Sequence, residues 1–270
     1  MSASTPDLAK LKSGMKATWM AGDFGQIAQY SATEAANFVE RIGIAPGAKV
    51  LDVACGTGNT ALPAARGGAK VTGVDIASNL LEQARKRAAS EQIEVRFDEG
   101  DAEDLPYADS SFDVVLTMFG AMFAPRPEKV AAELLRVCKP GGVVAMANWT
   151  PQGFVGKTFQ TTSKLVPPPP VPPPLLWGDE SVVRQRLNSA ANVTCTRRHV
   201  QFHYPFPPKE TVAFFRRWFG PTQMAFSRLD ENGQAALAEQ LELLWQEHNT
   251  AKDGNTAVAA EYLDVRASRA

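Results

Sequence analysis

Between Lys49 and Asn148, short apolar runs alternate with segments in which apolar residues recur every three or four positions. A short apolar run between turn residues indicates a strand buried on both faces, and the longer spacing indicates a helix with one face on a core. We predict strands at 49–54, 70–75, 93–98, 112–118 and 142–148, and helices at 59–67, 79–90 and 127–138. This alternation is typical of a parallel sheet covered by helices.

Helical spacing also characterises the residues before this segment. Residues 7–42 read as two helical segments separated by Ala-Gly-Asp-Phe-Gly at 21–25. Three aromatic residues, Trp19, Phe24 and Tyr30, either pack on the sheet domain or close over a ligand as an N-terminal lid. Both interpretations stay open.

The second half of the chain has a different pattern. Residues 167–174 contain seven prolines interrupted only by Val171, which favours extended polyproline II, either a loop bracing a cap or a ligand for a partner domain. Arg197–Tyr204 alternates polar and apolar residues like an edge strand. We predict a helix from Pro207 or Pro208 that ends at Gly220-Pro221, a second helix at 231–248, and a last strand at 257–266.

Composition and charge exclude some classes of protein. Hydrophobic residues make up 44% of 270 residues, enough for one large α/β domain with a cap. The 28 basic and 29 acidic residues give a net charge of −1, so no basic field attracts nucleic acid. Three widely spaced cysteines fit neither a disulfide framework nor a zinc site. Without an apolar leader or membrane span, we expect a soluble, cytoplasmic protein.

The stretch Val50–Ala61 combines a buried strand, a glycine turn at Gly56 and Gly58, and the start of a helix. Unsatisfied backbone N–H groups at such a helix start bind nucleotides. The G-x-G-x-x-A pattern, with Asp75 nineteen residues past Gly56, would suit an NAD-dependent oxidoreductase. Asp52, four residues before Gly56, instead favours a cationic ligand such as S-adenosylmethionine (SAM), because a carboxylate there would repel a pyrophosphate.

Further signals follow the later strands. Asp75 ends the second strand, where it can accept hydrogen bonds from ribose hydroxyls. Asp101 follows the third strand, in a position to accept a bond from an adenine amino group. Thr117 ends the fourth strand, and Lys139-Pro140-Gly141-Gly142 ends the helix after it. The order and spacing of these features carry more weight than any one of them.

In these features, residues 45–150 resemble the class I SAM-dependent methyltransferases, and within them the small-molecule branch that includes the ubiquinone/menaquinone C-methyltransferases. The resemblance implies an α/β, Rossmann-like, seven-stranded, mostly parallel sheet whose last strand is antiparallel, with helices on both faces. It implies SAM as cofactor and S-adenosylhomocysteine as product. The implied cofactor-binding residues are Asp52, Ala54, Gly56 and Gly58 around the methionine part, Asp75 at the ribose, Ile76, Asp101 and Ala102 at the adenine, and Thr117 by the amino-acid end.

Departures from the family pattern narrow the classes of molecule that could accept the methyl group. Thr117-Met118-Phe119-Gly120 stands where enzymes that methylate amino groups of nucleic-acid bases or glutamine have Asn-Pro-Pro-Tyr. No clear trio of metal-ligand carboxylates of the catechol-methylating kind is present, and we expect no metal. His199, His203 and His248 are better interpreted as surface residues than as general bases.

The acceptor pocket is expected at the rim beyond the fourth and fifth strands, beneath a cap. Its candidate residues are Trp19, Phe24, Tyr30, Phe119, Met122, Phe123, Asn148 and Trp149. Ordinary packing is the alternative for each of them. The nucleophilic atom of the acceptor (carbon, oxygen, nitrogen or sulfur) stays open, as does any catalytic base.

The predicted organisation has four parts: a helical lid at 1–44, a SAM-binding core at 45–150, a proline-rich cap insertion at 151–195, and the remaining sheet with cap helices at 196–270. We expect SAM-dependent methyl transfer to a small molecule, with no nucleic-acid partner. An NAD-type oxidoreductase and a noncatalytic SAM-binding scaffold subunit are the alternatives.

Overall fold

The computed structural model describes residues 7–270, which are built around one seven-stranded sheet. The first six residues of the expected lid lie outside the described part of the chain. In chain order the strands are β1 Lys49–Val53, β2 Lys70–Asp75, β3 Arg96–Glu99, β4 Phe112–Met118, β5 Cys138–Trp149, β6 Ala190–Tyr204 and β7 Thr256–Arg269.

The strand order in space is β3-β2-β1-β4-β5-β7-β6. Strands β1 to β5 pair in parallel, and β7 pairs antiparallel with both β5 and β6. The apolar run that predicted β1 is fully buried, since Val50, Leu51 and Val53 have no exposed surface. The expected Rossmann-like sheet with an antiparallel last strand is therefore confirmed.

Eleven α-helices surround the sheet within the described residues. They are α1 Leu8–Met20, α2 Phe24–Ala28, α3 Ala32–Ile42, α4 Ala61–Arg66, α5 Ser78–Ser90, α6 Pro127–Val137, α7 Phe154–Ser163, α8 Glu180–Arg186, α9 Pro208–Trp218, α10 Gly220–Ser227 and α11 Glu231–His248. Short 3₁₀ turns occur at Gln29–Ser31, Ala121–Phe123 and Pro174–Gly178. Helix α11 buries Leu237, Leu241, Leu244 and Trp245, the stripe that its sequence predicts.

Two predicted boundaries change because a turn signal continues into the next element. Gly220-Pro221 was expected only to end α9, but these residues begin α10. A proline is tolerated in the first turn of a helix because the N–H group that it lacks would have no partner there. Strand β5 begins at Cys138 rather than 142, because Cys138 already pairs with Phe112 before a bulge shifts the register.

Strand β6 begins at Ala190 rather than Arg197, so the predicted boundary between 195 and 196 falls inside a strand. Its first half alternates between exposed and half-buried residues, without the fully buried apolar positions that Val200, Phe202 and Tyr204 provide. Hydrophobic alternation therefore marked only the half of β6 that packs against the core.

The proline run is not one continuous extended segment. Val171 interrupts it, and the Val171 N–H donates to the Pro169 carbonyl at 2.8 Å, which closes a tight turn. Pro174 then begins a 3₁₀ turn that buries Leu175 and Trp177. The run thus ends in an anchor on the core, as expected of a loop that braces a cap.

A close approach between the loops after β1 and β4 sets the shape of the sheet edge. A Cβ atom on Gly120 would lie 2.5 Å from the Ala54 carbonyl oxygen and 2.6 Å from the Ala54 Cβ. Both contacts involve atoms that cannot rotate away, so only glycine is accommodated without a backbone shift.

We expect Gly120→Ala to lower the free energy of unfolding by about 1–3 kcal/mol, the usual cost of overpacking. Gly14→Ala is the matched control, because a Cβ at Gly14 in α1 meets no atom within 4 Å. That change should stabilise the helix by about 0.5–1 kcal/mol. Urea unfolding of both variants tests this, and a Gly120→Ala protein as stable as the parent would contradict it.

Candidate active site

The loop after β1 adopts left-handed backbone conformations at three positions. The φ angles are 55° at Ala54, 51° at Gly56 and 83° at Gly58. Glycine adopts this region without cost, whereas Ala54 is held there by its surroundings. The loop thereby turns back over the end of the sheet, and the Cys55 N–H donates to the Val74 carbonyl at 3.1 Å.

Asp75, at the end of β2, holds this loop in place. Its Oδ2 accepts a hydrogen bond from the Gly56 N–H, and its Oδ1 accepts one from the Ala77 N–H, both at 2.8 Å. Burial raises the pKa of Asp75, although these backbone hydrogen bonds act against the increase. The carboxylate therefore builds the loop and also lines the cavity in front of it.

Asp52 lies inside β1 and is 1% exposed. Its Oδ2 accepts a hydrogen bond from the Thr60 hydroxyl at 2.6 Å, while its buried Oδ1 has no partner among the described residues. Burial raises the pKa of Asp52 to about 7, and the nearby Asp75 carboxylate contributes to the increase. A buried acid with an unpaired oxygen favours a neighbouring positive charge.

A cavity of about 1100 Å³, partly open to solvent, lies at the carboxyl ends of β1, β2 and β4; we call it the first cavity. Six of the predicted cofactor-binding residues line it: Ala54, Gly56, Asp75, Ile76, Asp101 and Ala102. They come from three separate loops, which the strand order brings to one edge.

The other three predicted cofactor-binding residues lie behind the wall of the first cavity. Asp52 points to Thr60, as described above. Gly58 faces the core, where an added Cβ would meet Leu62, Ala84 and Phe97. The Thr117 hydroxyl accepts a hydrogen bond from the Ala121 N–H at 3.1 Å, so it shapes the loop after β4 instead of reaching the cavity.

Helix α1 covers the side of this cavity that is formed by the loop after β3. The Lys12 ammonium pairs with Asp101 and lies 2.5 Å from the Glu103 carboxylate, whose side chain is fully buried. Lys16 pairs with Glu99 on the same face of α1. Residues of the expected N-terminal lid thus contact the loop after β3 through ion pairs that no motif in the sequence marks.

A second cavity of about 1190 Å³ lies against the first, beneath α7, α9, α10 and α11. Six residues line both cavities, and we call them the shared wall: Trp19, Phe24, Ala28, Ser31, Phe119 and Phe123. Trp19 packs edge-on against Phe24, Phe123 and Phe219 at centroid distances of 5.1–6.0 Å. Four predicted acceptor-pocket residues belong to this wall.

Phe119 and Trp149 form the floor of the second cavity. Their rings stack at 3.6 Å with an interplanar angle of 9°. Tyr262 meets the Phe119 ring edge-on at 5.4 Å. Phe119 has a φ angle of 61°, a costly conformation for an aromatic residue, which the stacking holds in place.

Three predicted acceptor-pocket residues line neither cavity. Tyr30 packs against the buried Tyr204 at 4.3 Å, and Met122 is 1% exposed in the core. Asn148 precedes Trp149 on β5, so its side chain points to the opposite face of the sheet, where neither amide atom has a partner among the described residues. The alternation along a strand explains why only one residue of this pair reaches the cavity.

The three histidines lie away from both cavities. His199 and His203 are exposed on β6, as predicted. The His248 ring is within hydrogen-bonding distance of the Lys157 ammonium at 2.9 Å and the Leu244 carbonyl at 3.0 Å. Within residues 7–270, no three His, Cys, Asp or Glu side chains cluster closely enough to hold a metal ion.

Most of the second cavity comes from residues that sequence reasoning did not assign to a site. They are Ile27, Phe154, Val155, Thr158, Phe159, Thr162, Phe202, Val212, Phe215, Phe219, Pro221, Thr222, Leu241 and Trp245. The abundance of Phe and Trp in the cap was the only signal, and it does not separate cavity lining from core packing.

Comparisons with known proteins agree with this arrangement. Residues 50–142 match the family model of a methyltransferase domain. The chain is 36% identical over 231 residues to the uncharacterised protein Rv1405c of Mycobacterium tuberculosis, covering 84% of each chain. It is 40% identical over 116 residues to the demethylmenaquinone methyltransferase of Renibacterium salmoninarum, covering 43% of this chain and 47% of that protein.

Among solved structures, a putative methyltransferase from Bacillus halodurans has the same fold, with a TM-score of 0.61 at 19% identity. The match covers 88% of this chain and 99% of that one. The sheet order, the buried Asp52 before the glycine loop and the methyltransferase family match together identify a SAM-dependent methyltransferase. The chain belongs to the class I SAM-dependent methyltransferase superfamily, within a family that includes Rv1405c. Its cofactor is SAM, and the comparisons give no support to an oxidoreductase or a scaffold subunit.

The raised pKa of Asp52 predicts how stability depends on pH. Between about pH 4 and 7 the folded protein retains a proton that the unfolded chain has lost, so the free energy of unfolding should fall as pH rises through this window. The contribution of Asp52 is at most about 1.4 kcal/mol per pH unit. Asp52→Asn should flatten the dependence, leaving a smaller slope from Asp75.

Urea unfolding at pH 5, 6, 7 and 8 measures this difference between parent and variant. Asp109→Asn, at an exposed carboxylate, serves as the control and should keep the parent slope. An Asp52→Asn protein with the same slope as the parent would show that Asp52 is ionised throughout.

Proposed function

We propose that this protein transfers the methyl group of SAM to a small, largely apolar acceptor, with SAM in the first cavity and the acceptor in the second. The observation that supports this most is the shared wall, because it places a carboxylate-bearing cavity directly beside an aromatic one. A methyl group that leaves the first cavity at that wall enters the second cavity.

The chemistry of the first cavity fits SAM. Asp75 and Asp101 line it with acceptor oxygens, which suit ribose hydroxyls and an adenine amino group respectively. The unpaired Oδ1 of Asp52 lies behind the glycine loop, where its negative charge favours a cationic ligand over a pyrophosphate. When bound, SAM supplies an electrophilic methyl group on a sulfonium.

The contribution of the protein is alignment and exclusion of water. Gly56 and Ala54 position the methionine part, Ile76 and Ala102 contact the adenine, and Gly58 and Thr117 keep the two loops in shape. Trp19 and Phe24 cover the meeting point of the cavities from above, while Phe119 supports it from below. Such positioning accounts for most of the acceleration in a reaction that disperses charge.

The parts of the chain have corresponding roles in this proposal. Residues 45–150 hold SAM, the helices before residue 44 act as a lid, and the segments 151–195 and 196–270 supply the cap and the rest of the sheet. The ion pairs of Lys12 with Asp101 and Glu103 support the lid role, since they join α1 to the rim of the first cavity.

Calorimetric titration of the purified protein with S-adenosylhomocysteine, with NAD in a parallel cell, tests the cofactor site. We expect micromolar binding of S-adenosylhomocysteine and no binding of NAD. Binding of NAD, or of neither ligand, would overturn the proposed function.

Asp75→Ala should weaken S-adenosylhomocysteine binding at least about 100-fold, because it removes the ribose acceptor and releases the Gly56 N–H group. Glu94→Ala is the control, since Glu94 is exposed in the segment before β3 and lines neither cavity. Calorimetry with circular dichroism separates lost binding from unfolding. A folded Asp75→Ala protein that binds as tightly as the parent would refute the ribose assignment.

A further inference from the structure

The second cavity contains no ionisable side chain among the described residues. Its 21 lining residues include no Asp, Glu, His, Lys, Arg, Cys or Tyr. Their only hydroxyl groups belong to Ser31, Thr158, Thr162 and Thr222. An acceptor with a carboxylate, phosphate or ammonium group would lose its hydration there without gaining an opposite charge, which is strongly unfavourable.

Ser31 differs from the three threonines because it is the polar residue of the shared wall. The three threonines line only the second cavity. A group that meets both cavities lies where the reacting atoms of the acceptor must come.

The hydroxyl of Ser31 also does not cap the helix that follows it. Ser31 occupies the N-cap position of α3, where a serine oxygen normally accepts a hydrogen bond from a backbone N–H in the first turn. It makes no such bond, and instead donates to the Ala28 carbonyl at 2.9 Å. Among the described residues no hydrogen bond to the lone pairs of this oxygen occurs, so they can bind a ligand.

We propose that the acceptor is an uncharged, ring-sized apolar molecule bearing an acidic hydroxyl, a phenol or an enol, and that Ser31 is the residue that orients this hydroxyl at the shared wall. This inference rests on the proposed function. The acceptor binds in its neutral form, with its hydroxyl donating to the Ser31 oxygen. Because the second cavity supplies no general base, the proton passes to solvent as the methyl group is transferred. The acceptor oxygen, or the carbon conjugated with it, contributes the electron pair of the new bond to the methyl carbon, and the pair of the broken carbon–sulfur bond remains on sulfur as a thioether.

A chromophoric probe tests the charge of the cavity without requiring turnover. 4-Nitro-1-naphthol, whose anion absorbs visible light, is titrated with pH in the presence of the protein saturated with S-adenosylhomocysteine. We expect the pKa of the bound probe to rise by about one unit or more, because burial without a cation disfavours the anion. A pKa that falls on binding would reveal a positive group or base and would overturn the inference.

The role of Ser31 is tested by binding of the same probe. Ser31→Ala should bind it about three- to tenfold more weakly, as expected for one lost hydrogen bond, and Ser31→Thr should retain binding. Thr158→Val is the matched control, because it removes a hydroxyl from the second cavity away from the shared wall. Equal weakening in Ser31→Ala and Thr158→Val, or none in Ser31→Ala, would refute the orienting role.

The excluded class of acceptor is tested with 1-hydroxy-2-naphthoate, which adds a carboxylate to the same ring system. We expect it to bind at least about tenfold more weakly than the nitronaphthol. Equal binding would contradict the inference. Binding of S-adenosylhomocysteine is measured separately. If the protein does not bind it, the proposed function is overturned. If the protein binds it but the naphthol probes do not behave as expected, only the proposed class of acceptor is overturned.

Discussion

The hydrogen bonds of the Asp75 carboxylate to Gly56 and Ala77 are the constraint on which the site depends. They join the loop after β1 to the end of β2, so that two segments distant in sequence form one edge. Because this carboxylate is buried beside Asp52, two acidic groups share a region of low polarity. In the proposed function a cationic ligand relieves that repulsion, so the residues that fix the backbone also favour a positively charged cofactor.

The electrostatic character of the molecule changes abruptly at the shared wall. On one side lie Asp75, Asp101 and Lys12, and on the other lie only aromatic, aliphatic and hydroxyl-bearing residues. The boundary is one side chain thick, formed by rings such as Trp19 and Phe119. Charge is thus confined to the cofactor side, where a reaction that consumes a positive charge begins.

Local sequence predicted the sheet and the first cavity well, because each of their signals is short in range. Strand β1 is a buried run, the glycine loop is one motif, Asp75 ends a strand, and Asp101 follows shortly after the next one. Parallel strands necessarily bring such loops to one edge. What local pattern could not show was orientation: Asn148 and Trp149 are neighbours in sequence, yet only Trp149 faces the cavity.

The second cavity was beyond prediction for a different reason. Most of its lining comes from α1, α2, α7, α9, α10 and α11, whose mutual packing depends on contacts between distant segments. A phenylalanine in an amphipathic helix has the same pattern whether it fills a core or lines a pocket. Ser31 carries no signal of a site either, since a serine before a helix normally indicates a cap.

Most of the second cavity lies outside residues 50–142, the segment that matches the methyltransferase family model. In the proposed function, the part of the molecule that binds the methyl donor and the part that selects the acceptor are therefore separable in inheritance. Substitutions in the cap can accumulate without disturbing the glycine loop or Asp75, provided that the shared wall is kept. Related chains can thus diverge in the compounds they modify while the donor machinery stays the same, and exchanging cap segments between them offers a route to new acceptors by recombination.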